Sequence, residues 1–434
     1  MYWNDRSRCA WGDSNDFSGA RIPMITPSWY RDLDLNGRRA FRSTYAGFSM
    51  DAMNIQLYAF ILPVLLTLWH LSPSAGGLLA SVTLVSSAAG GWLAGLLSDR
   101  LGRVRLLRIT ILCMAASTIL CGMAQNYEQL LVARMVQGLG FGAEWAVGVV
   151  FMGEIAAAAT RGRLVGTAQS AWAIGWGLAT ATSAIAIALL PPELGWRATF
   201  FVSLPPAVAI FLARMRLRES ATFLASAGAD RWHRIFSLEM AGNTARGALL
   251  AIGTHGGYWA LATWWPTMLK LERGMTTAET ATHMAMLVGG SLAGYMLGAT
   301  LSDRIGRRAT LAIFALGGIG TVLIATELPV SDAALLALGM PLGLFAMGLY
   351  SAIGPALNEL YPTRLRGSGL GFCYNVGRGV AGLTPLAVGG SIAAHGIAHS
   401  IGIYVSIAYA LVLVAAALLR ETRGMDFTPA IKGS

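Results

Sequence analysis

Charge is scarce in this chain. Asp, Glu, Lys and Arg together make up 12% of its 434 residues, against an apolar share of 55%. A soluble domain carries about twice that charge, so a water-soluble fold is excluded. Lysine is nearly missing: only Lys270 and Lys432 occur, and Arg supplies the positive charge. The net charge of +10 does not point to nucleic acid, because the basic residues lie in short clusters between apolar runs. Cysteine is limited to Cys9, Cys113, Cys121 and Cys373. Three of these sit inside apolar segments and none has metal-ligand spacing, so they read as small packing residues and no metal is expected. The six histidines are scattered, and no nucleotide loop or catalytic constellation is present, so no enzyme is expected. No cleavable signal is expected either: residues 1–42 are polar and Arg-rich, without an apolar stretch or a small-residue cleavage site.

What the chain does have is long apolar runs. About 20 such residues cross a hydrocarbon core of ~30 Å. The expected spans are 43–69, 75–97, 106–124, 128–153, 164–189 and 197–214, then 246–270, 281–301, 309–327, 332–357, 367–391 and 399–419. The organisation is therefore a tail (1–42), a six-helix bundle (43–214), a polar linker (215–245), a second six-helix bundle (246–420) and a tail (421–434). Of the 32 basic residues, 27 fall in the tails, the linker and alternate loops, whereas the opposite loops hold only Arg197, Lys270 and Arg273. By the positive-inside rule both termini are cytoplasmic, in a plasma (bacterial inner) membrane.

The two bundles repeat one another. Leu97-Ser-Asp-Arg-Leu-Gly-Arg103 returns as Leu301-Ser-Asp-Arg-Ile-Gly-Arg307, 204 residues later. Glu154 precedes Arg161 by seven residues, and Glu359 precedes Arg366 by seven. Gly91-xxx-Gly95 matches Gly294-xxx-Gly298, a small-residue spacing that lets helices approach closely. Gly138-x-Gly140-x-Gly142 sits inside a span, so it reads as helix packing rather than a nucleotide loop. Duplicated membrane halves are the mark of a secondary transporter.

These motifs resemble those of the major facilitator superfamily. Gly95-Leu-Leu-Ser-Asp-Arg-Leu-Gly-Arg103 and its copy match the superfamily's loops after spans two and eight, and Arg134-Met-Val-Gln-Gly-Leu-Gly-Phe-Gly142 matches its fourth-span motif. The resemblance implies an all-α integral membrane fold of twelve helices in two pseudo-symmetric bundles. It also implies a conformational lock formed by Asp99, Arg100, Arg103, Asp303, Arg304, Arg307, Glu154, Arg161, Glu359 and Arg366. Three stretches narrow the resemblance toward sialate and organic-acid:proton symporters: Gly142-Ala-Glu-Trp145, Glu219-Ser-Ala-Thr-Phe223 and Met50-Asp-Ala-Met-Asn-Ile-Gln-Leu-Tyr58. In the last, Asn54 stands where a second Asp is usual, leaving Asp51 as the one acid of that helix. The Gly-Pro signature of drug exporters is missing from 166–175, and the Gln-Gln pair of sugar porters is missing from 253–259.

A charge at mid-bilayer costs at least about 2.5–3.5 kcal/mol, so each buried one needs a partner or a wet cavity. Asp51 and Glu144 are expected at one depth, about 13 Å and 15 Å from the cytoplasmic ends of spans one and four. Two carboxylates at one depth suit proton carriage, and a structural role for Glu144 between spans is the alternative. Arg134 lies about 15 Å beyond Glu144 on the same helix, too far to pair with it. Proton coupling and polar packing both fit Arg134. His255 occupies the place of Asp51 in the second half, as a proton relay, an acid-binding group or a bonded core histidine. Arg378, about 18 Å into span eleven, suits a carboxylate through its planar fork, or pairs with an acid of another helix. Gln56, Tyr58, Trp145, Tyr258, Trp259, Asn54 and Asn375 are expected around the substrate.

The expected function is proton-coupled uptake of a small organic anion (a mono-, aromatic or sialic-type carboxylate) by a monomer, with the proton as coupling ion and no cofactor. The alternatives are an exporter of hydrophobic or cationic compounds, a sugar porter, or a binding-only sensor.

Overall fold

The computed structural model describes residues 28–155, 164, 167–220, 232–361 and 365–421. After one helical turn at Ser28–Arg31, the first bundle contains α1 (Leu35–Leu68), α2 (Pro73–Leu101), α3 (Arg103–Met123), α4 (Tyr127–Ile155) and α5 (Ala171–Leu189). Its last span, α6, runs as two pieces, Pro192–Val202 and Leu204–Met215. The second bundle contains α7 (Leu238–Thr267), α8 (Thr277–Ile305), α9 (Arg307–Glu327) and α10 (Asp332–Glu359). It ends with α11, in two pieces Arg366–Ala381 and Thr384–His395, and α12 (Ile397–Leu418).

Among the described residues, ten helices are long and apolar enough to cross a membrane. The other two expected spans are helical as well. They are α7, whose run includes His255, several glycines and Tyr258, and α11, which is broken into pieces of 16 and 12 residues. The chain is therefore an all-α, multi-pass membrane protein.

Helix ends follow local chemistry. Asp34 accepts a hydrogen bond from Gly37 N (2.6 Å), which starts α1 eight residues before the apolar run begins at Ser43. The extra turns carry Arg38, Arg39 and Arg42. Likewise α7 begins at Leu238, so the 215–245 segment contains its first two turns. Thr276 and Glu279 form a capping box at α8, and Ser72 and Ser331 cap α2 and α10. Prolines at 205, 206 and 385 coincide with the breaks in α6 and α11.

The two halves pack alike. α2 lies along α4 as α8 lies along α10, α3 on α6 as α9 on α12, and α1 on α5 as α7 on α11. A Cβ on Gly90 would stand 2.7 Å from Leu139 Cα, and one on Gly290 would stand 2.9 Å from Met340 Cα, so both close approaches require glycine. Gly138 and Gly142 pack on the α2 backbone as expected. Of the two glycine pairs, Gly294 and Gly298 pack closely on α10, and Gly91 lies where Gly142 of α4 approaches α2 and also faces Asn375 and Arg378 of the other bundle, whereas Gly95 has open space around it. The bundles meet along α1/α7, α5/α8 and α2/α11.

The repeated loop forms the same joint twice at the Arg-rich end. Gly102 (φ 91°) and Gly306 (φ 96°) take a backbone conformation that side chains oppose, which explains glycine at this point of both copies. Arg103 donates to Ser98 O (2.7 Å) and pairs with Glu154 (3.0 Å). Arg307 donates to Ser302 O (2.6 Å) and pairs with Glu359 (3.0 Å). Two further carboxylates complete the joints. Glu219 accepts from Val104 N (3.1 Å), and Glu421 accepts from Arg307 N (3.1 Å) and Arg308 N (3.2 Å), each at the first turn of the following helix. Arg100 and Arg304 are exposed. Arg161 lies outside the described residues, as do the side chains of Asp99, Asp303 and Arg366.

Candidate substrate and coupling site

The sequence expectation paired Asp51 with Glu144 as neighbouring acids. The two do lie within electrostatic reach of one another, but Glu144 also has a dedicated partner. Arg214, near the end of α6, reaches it with two nitrogens: Nη2 bonds Oε1 and Nη1 bonds Oε2 (2.8 Å). Thr110 of α3 donates to Oε2 (2.5 Å), and Arg214 also donates to Leu107 O (2.5 Å) and to Ser43 Oγ of α1 (3.3 Å). Both side chains are fully buried. One ion pair thus joins α1, α3, α4 and α6, and the structural alternative for Glu144 is the one this geometry favours. Gly47 makes room for it, since a Cβ there would stand 2.6 Å from Glu144 Oε1. Arg214 escaped the sequence reading because it lies one residue before the polar linker and so resembles a cytoplasmic charge.

Asp51, one turn beyond Gly47, is buried, and neither carboxylate oxygen has a hydrogen-bond partner among the described residues. It lies within electrostatic reach of Glu144, Arg214 and Arg378. Asn54, one turn further, is fully buried with both amide atoms unpartnered.

Arg378 of α11 is 2% exposed and faces the first bundle. Its Nη2 donates to Asn375 Oδ1 (2.7 Å) and to Ser87 O of α2 (3.2 Å), while Nε has no partner. Aromatic rings surround it: its guanidinium carbon lies 5.0 Å from the Phe141 ring, 5.9 Å from Trp145 and 5.8 Å from Tyr374. Trp145 and Tyr374, from opposite bundles, stack at 4.0 Å with an interplanar angle of 8°. Trp145 is held by Gln169 Oε1 (3.1 Å), and Asn375 by Gly371 O (2.9 Å).

His255 faces the same group from α7. Its Nδ1 bonds the carbonyl of Ala251 (2.8 Å), so the ring carries its proton there and Nε2 is left as a buried, unpartnered acceptor. The ring meets Tyr374 edge-on at 4.6 Å and Tyr350 at 5.2 Å. Tyr258 accepts from Gln56 Nε2 (3.1 Å) and Trp172 Nε1 (2.7 Å), which ties α7 to α1 and α5. Trp259 packs beside Trp172 and Tyr258 with Nε1 unpartnered.

Two expected residues stand apart. Arg134 donates to Gln137 Oε1 (2.7 Å) and lies 4.5 Å over the ring of Tyr58, whose hydroxyl donates to Gly76 O (2.6 Å). This α1–α2–α4 joint occupies the Arg-poor half, so Tyr58 partners Arg134 rather than facing Arg378, and Arg134 fits polar packing. Tyr374, Phe141, Trp172 and Tyr350 join the site unforeseen, because an aromatic in an apolar run gives no sign of which way it faces.

A central group of charged and aromatic residues, supplied by both of two pseudo-symmetric bundles, is a transporter's arrangement rather than an enzyme's. The sequence profile of the Major Facilitator Superfamily matches residues 44–318 and 247–432. The chain belongs to the Major Facilitator Superfamily. Among relatives within this superfamily, a probable 4-methylmuconolactone transporter of Cupriavidus pinatubonensis is 35% identical, covering 92% of this chain and 94% of its own. A niacin transporter of Acinetobacter baylyi is 27% identical (87% and 92% covered), and a cis,cis-muconate transport protein of the same species is 30% identical (81% and 88%). A crystal structure of a D-xylose-proton symporter superposes with a TM-score of 0.73 at 19% identity, covering 89% of this chain and 99% of that one. A bacterial homologue of the lysosomal transporter Spinster, inward-facing, gives 0.72 at 16% identity (89% and 98%). These two structures establish the major facilitator fold and nothing of the substrate.

Proposed function

We propose that this major facilitator protein takes up a small unsaturated carboxylate together with protons, across a plasma (bacterial inner) membrane with both termini cytoplasmic. The observation that carries the reading is Arg378: a buried guanidinium between the bundles, walled by aromatic rings, whose buried Nε has no hydrogen-bond partner among the described residues. A carboxylate fills that donor, and a flat unsaturated body fits against the rings. The substrates named for the three relatives are small unsaturated carboxylic acids, which supports the same class here.

Asp51 carries the proton in this reading. Among the described residues it is the buried acid with no hydrogen-bond partner, whereas Glu144 is committed to Arg214. His255 Nε2 accepts a hydrogen bond from substrate or water beside Arg378. In the orientation set by the Arg clusters, the half on the outer side is closed. There α2 meets α11 through the hydrogen bond from Leu386 N to Ser81 Oγ (3.1 Å). Trp145, Trp172, Tyr350 and Tyr374, all half-buried, line the side toward the cytoplasm.

Uptake of labelled nicotinate, muconate and benzoate into proteoliposomes tests the anchor. The unaltered protein takes up at least one of them, and Arg378→Gln raises its KM about tenfold or more, the loss expected for a charge-assisted hydrogen bond. Unchanged KM in the variant removes Arg378 as the anchor.

A further inference from the structure

Outside the central site, one cation on the Arg-poor face has no close partner among the described residues. Arg197 is bound to Gly122 O (2.9 Å) and Ala124 O (2.5 Å), and Arg273 to Val330 O (3.1 Å) with Asp332 at 3.9 Å. Lys270, half-buried, has one long contact, to Thr277 Oγ1 at 3.4 Å, where charged donors normally approach to 2.7–2.9 Å. The nearby acids are engaged elsewhere: Glu272 accepts from Ala398 N (2.8 Å), and Glu279 closes the capping box with Thr276. Lys270 sits on a π-helical turn, Met268–Glu272, a widened helical form that recurs at functional sites.

Lys270 also lines a cavity of about 20 Å³ in the seam between the bundles, walled by α1, α5, α7 and α8. That volume holds about one water. Ser183 of α5 and Thr280 of α8 line the same cavity, and both hydroxyls are buried without a partner. Buried polar atoms are normally paired. Here an ammonium whose one contact is the long one to Thr277, itself in the cavity wall, and two unpartnered hydroxyls face one space with no carboxylate in its lining, a donor set that an anion can complete.

The cavity lies on the way to the central site. Lys270 is twelve residues beyond Tyr258, about 18 Å along α7. Tyr258, bonded to Gln56 and Trp172, closes the same seam below it. An anion arriving from the Arg-poor face meets Lys270 before it meets Tyr258 and Arg378. We propose that Lys270, Ser183 and Thr280 form an outer anion subsite that holds the carboxylate while the outer seam is open, ahead of its transfer to Arg378. This rests on the carboxylate reading above.

Kinetics measured separately from each face test it, using labelled nicotinate, muconate and benzoate with right-side-out and inside-out membrane vesicles. Lys270→Gln raises KM five- to tenfold from the Arg-poor face, with the KM from the opposite face retained and the maximal rate from that opposite face lowered in proportion, as the fixed overall equilibrium requires, and Lys270→Arg restores both values. An unchanged KM, or an equal change from both faces, overturns the subsite, because a general effect on folding or switching is felt on both sides. If the unaltered protein transports none of the three acids, the carboxylate reading itself falls and takes the subsite with it.

Discussion

Glu144 and Arg214 share a fully buried ion pair whose further bonds run to Thr110 and Leu107 of α3 and to Ser43 of α1. Removing one partner of such a pair leaves an uncompensated charge and costs about 3–5 kcal/mol, whereas replacing both with apolar groups of similar volume is often neutral. Glu144→Gln is therefore expected to lower the thermal midpoint in detergent strongly, and Glu144→Leu with Arg214→Met is expected to recover most of it. A single variant with normal stability that loses only proton-driven uptake would return Glu144 to the role of proton carrier. At this scale the sequence was legible where charge is rare: Asp51, Arg134, Glu144, His255 and Arg378 all proved buried. Their partners were not legible. Helical depth can be counted along one chain segment, but azimuth around the helix, which decides that Tyr58 meets Arg134 and Tyr374 meets Arg378, is set by packing between helices.

Elements are joined by a device present once per half. The loop glycine turns the chain, the arginine after it grips both the preceding helix and the glutamate of the fourth span, and a second glutamate caps the helix that follows. The repeated seven residues announced the first two parts. The caps, Glu219 and Glu421, stand 202 residues apart in the short stretches Glu-Ser and Glu-Thr, too little repetition to mark a shared role. Gly102→Ala and Gly306→Ala each force a side chain into a region that costs about 1–3 kcal/mol. Each should lower the thermal midpoint by a similar amount, because the joints are equivalent. A large effect at one and none at the other would show that the two loops are not the same structural part. The break in α11 at Gly382–Leu383 and the early starts of α1 and α7 lay beyond an apolar count, since caps and prolines, rather than hydropathy, end helices.

Across the whole molecule, a duplicated scaffold carries unduplicated chemistry. Asp51 of the first half corresponds to His255 of the second, and Arg378 reaches from the second bundle toward α2 of the first. Asp51 and His255 lie within electrostatic reach of Arg378, which spans the seam between the bundles; under the proposed function, a ligand and proton bound there would stabilise one arrangement of the halves over another. In that proposal proton movement and substrate movement are two consequences of one rearrangement. The most direct measurement records internal pH and labelled carboxylate together in proteoliposomes under an inside-alkaline gradient. Acid and protons are expected to enter together, and Asp51→Asn is expected to abolish gradient-driven accumulation while retaining counterflow exchange of the acid. Undiminished gradient-driven accumulation in Asp51→Asn, or acid uptake with no accompanying proton, would contradict the proposal.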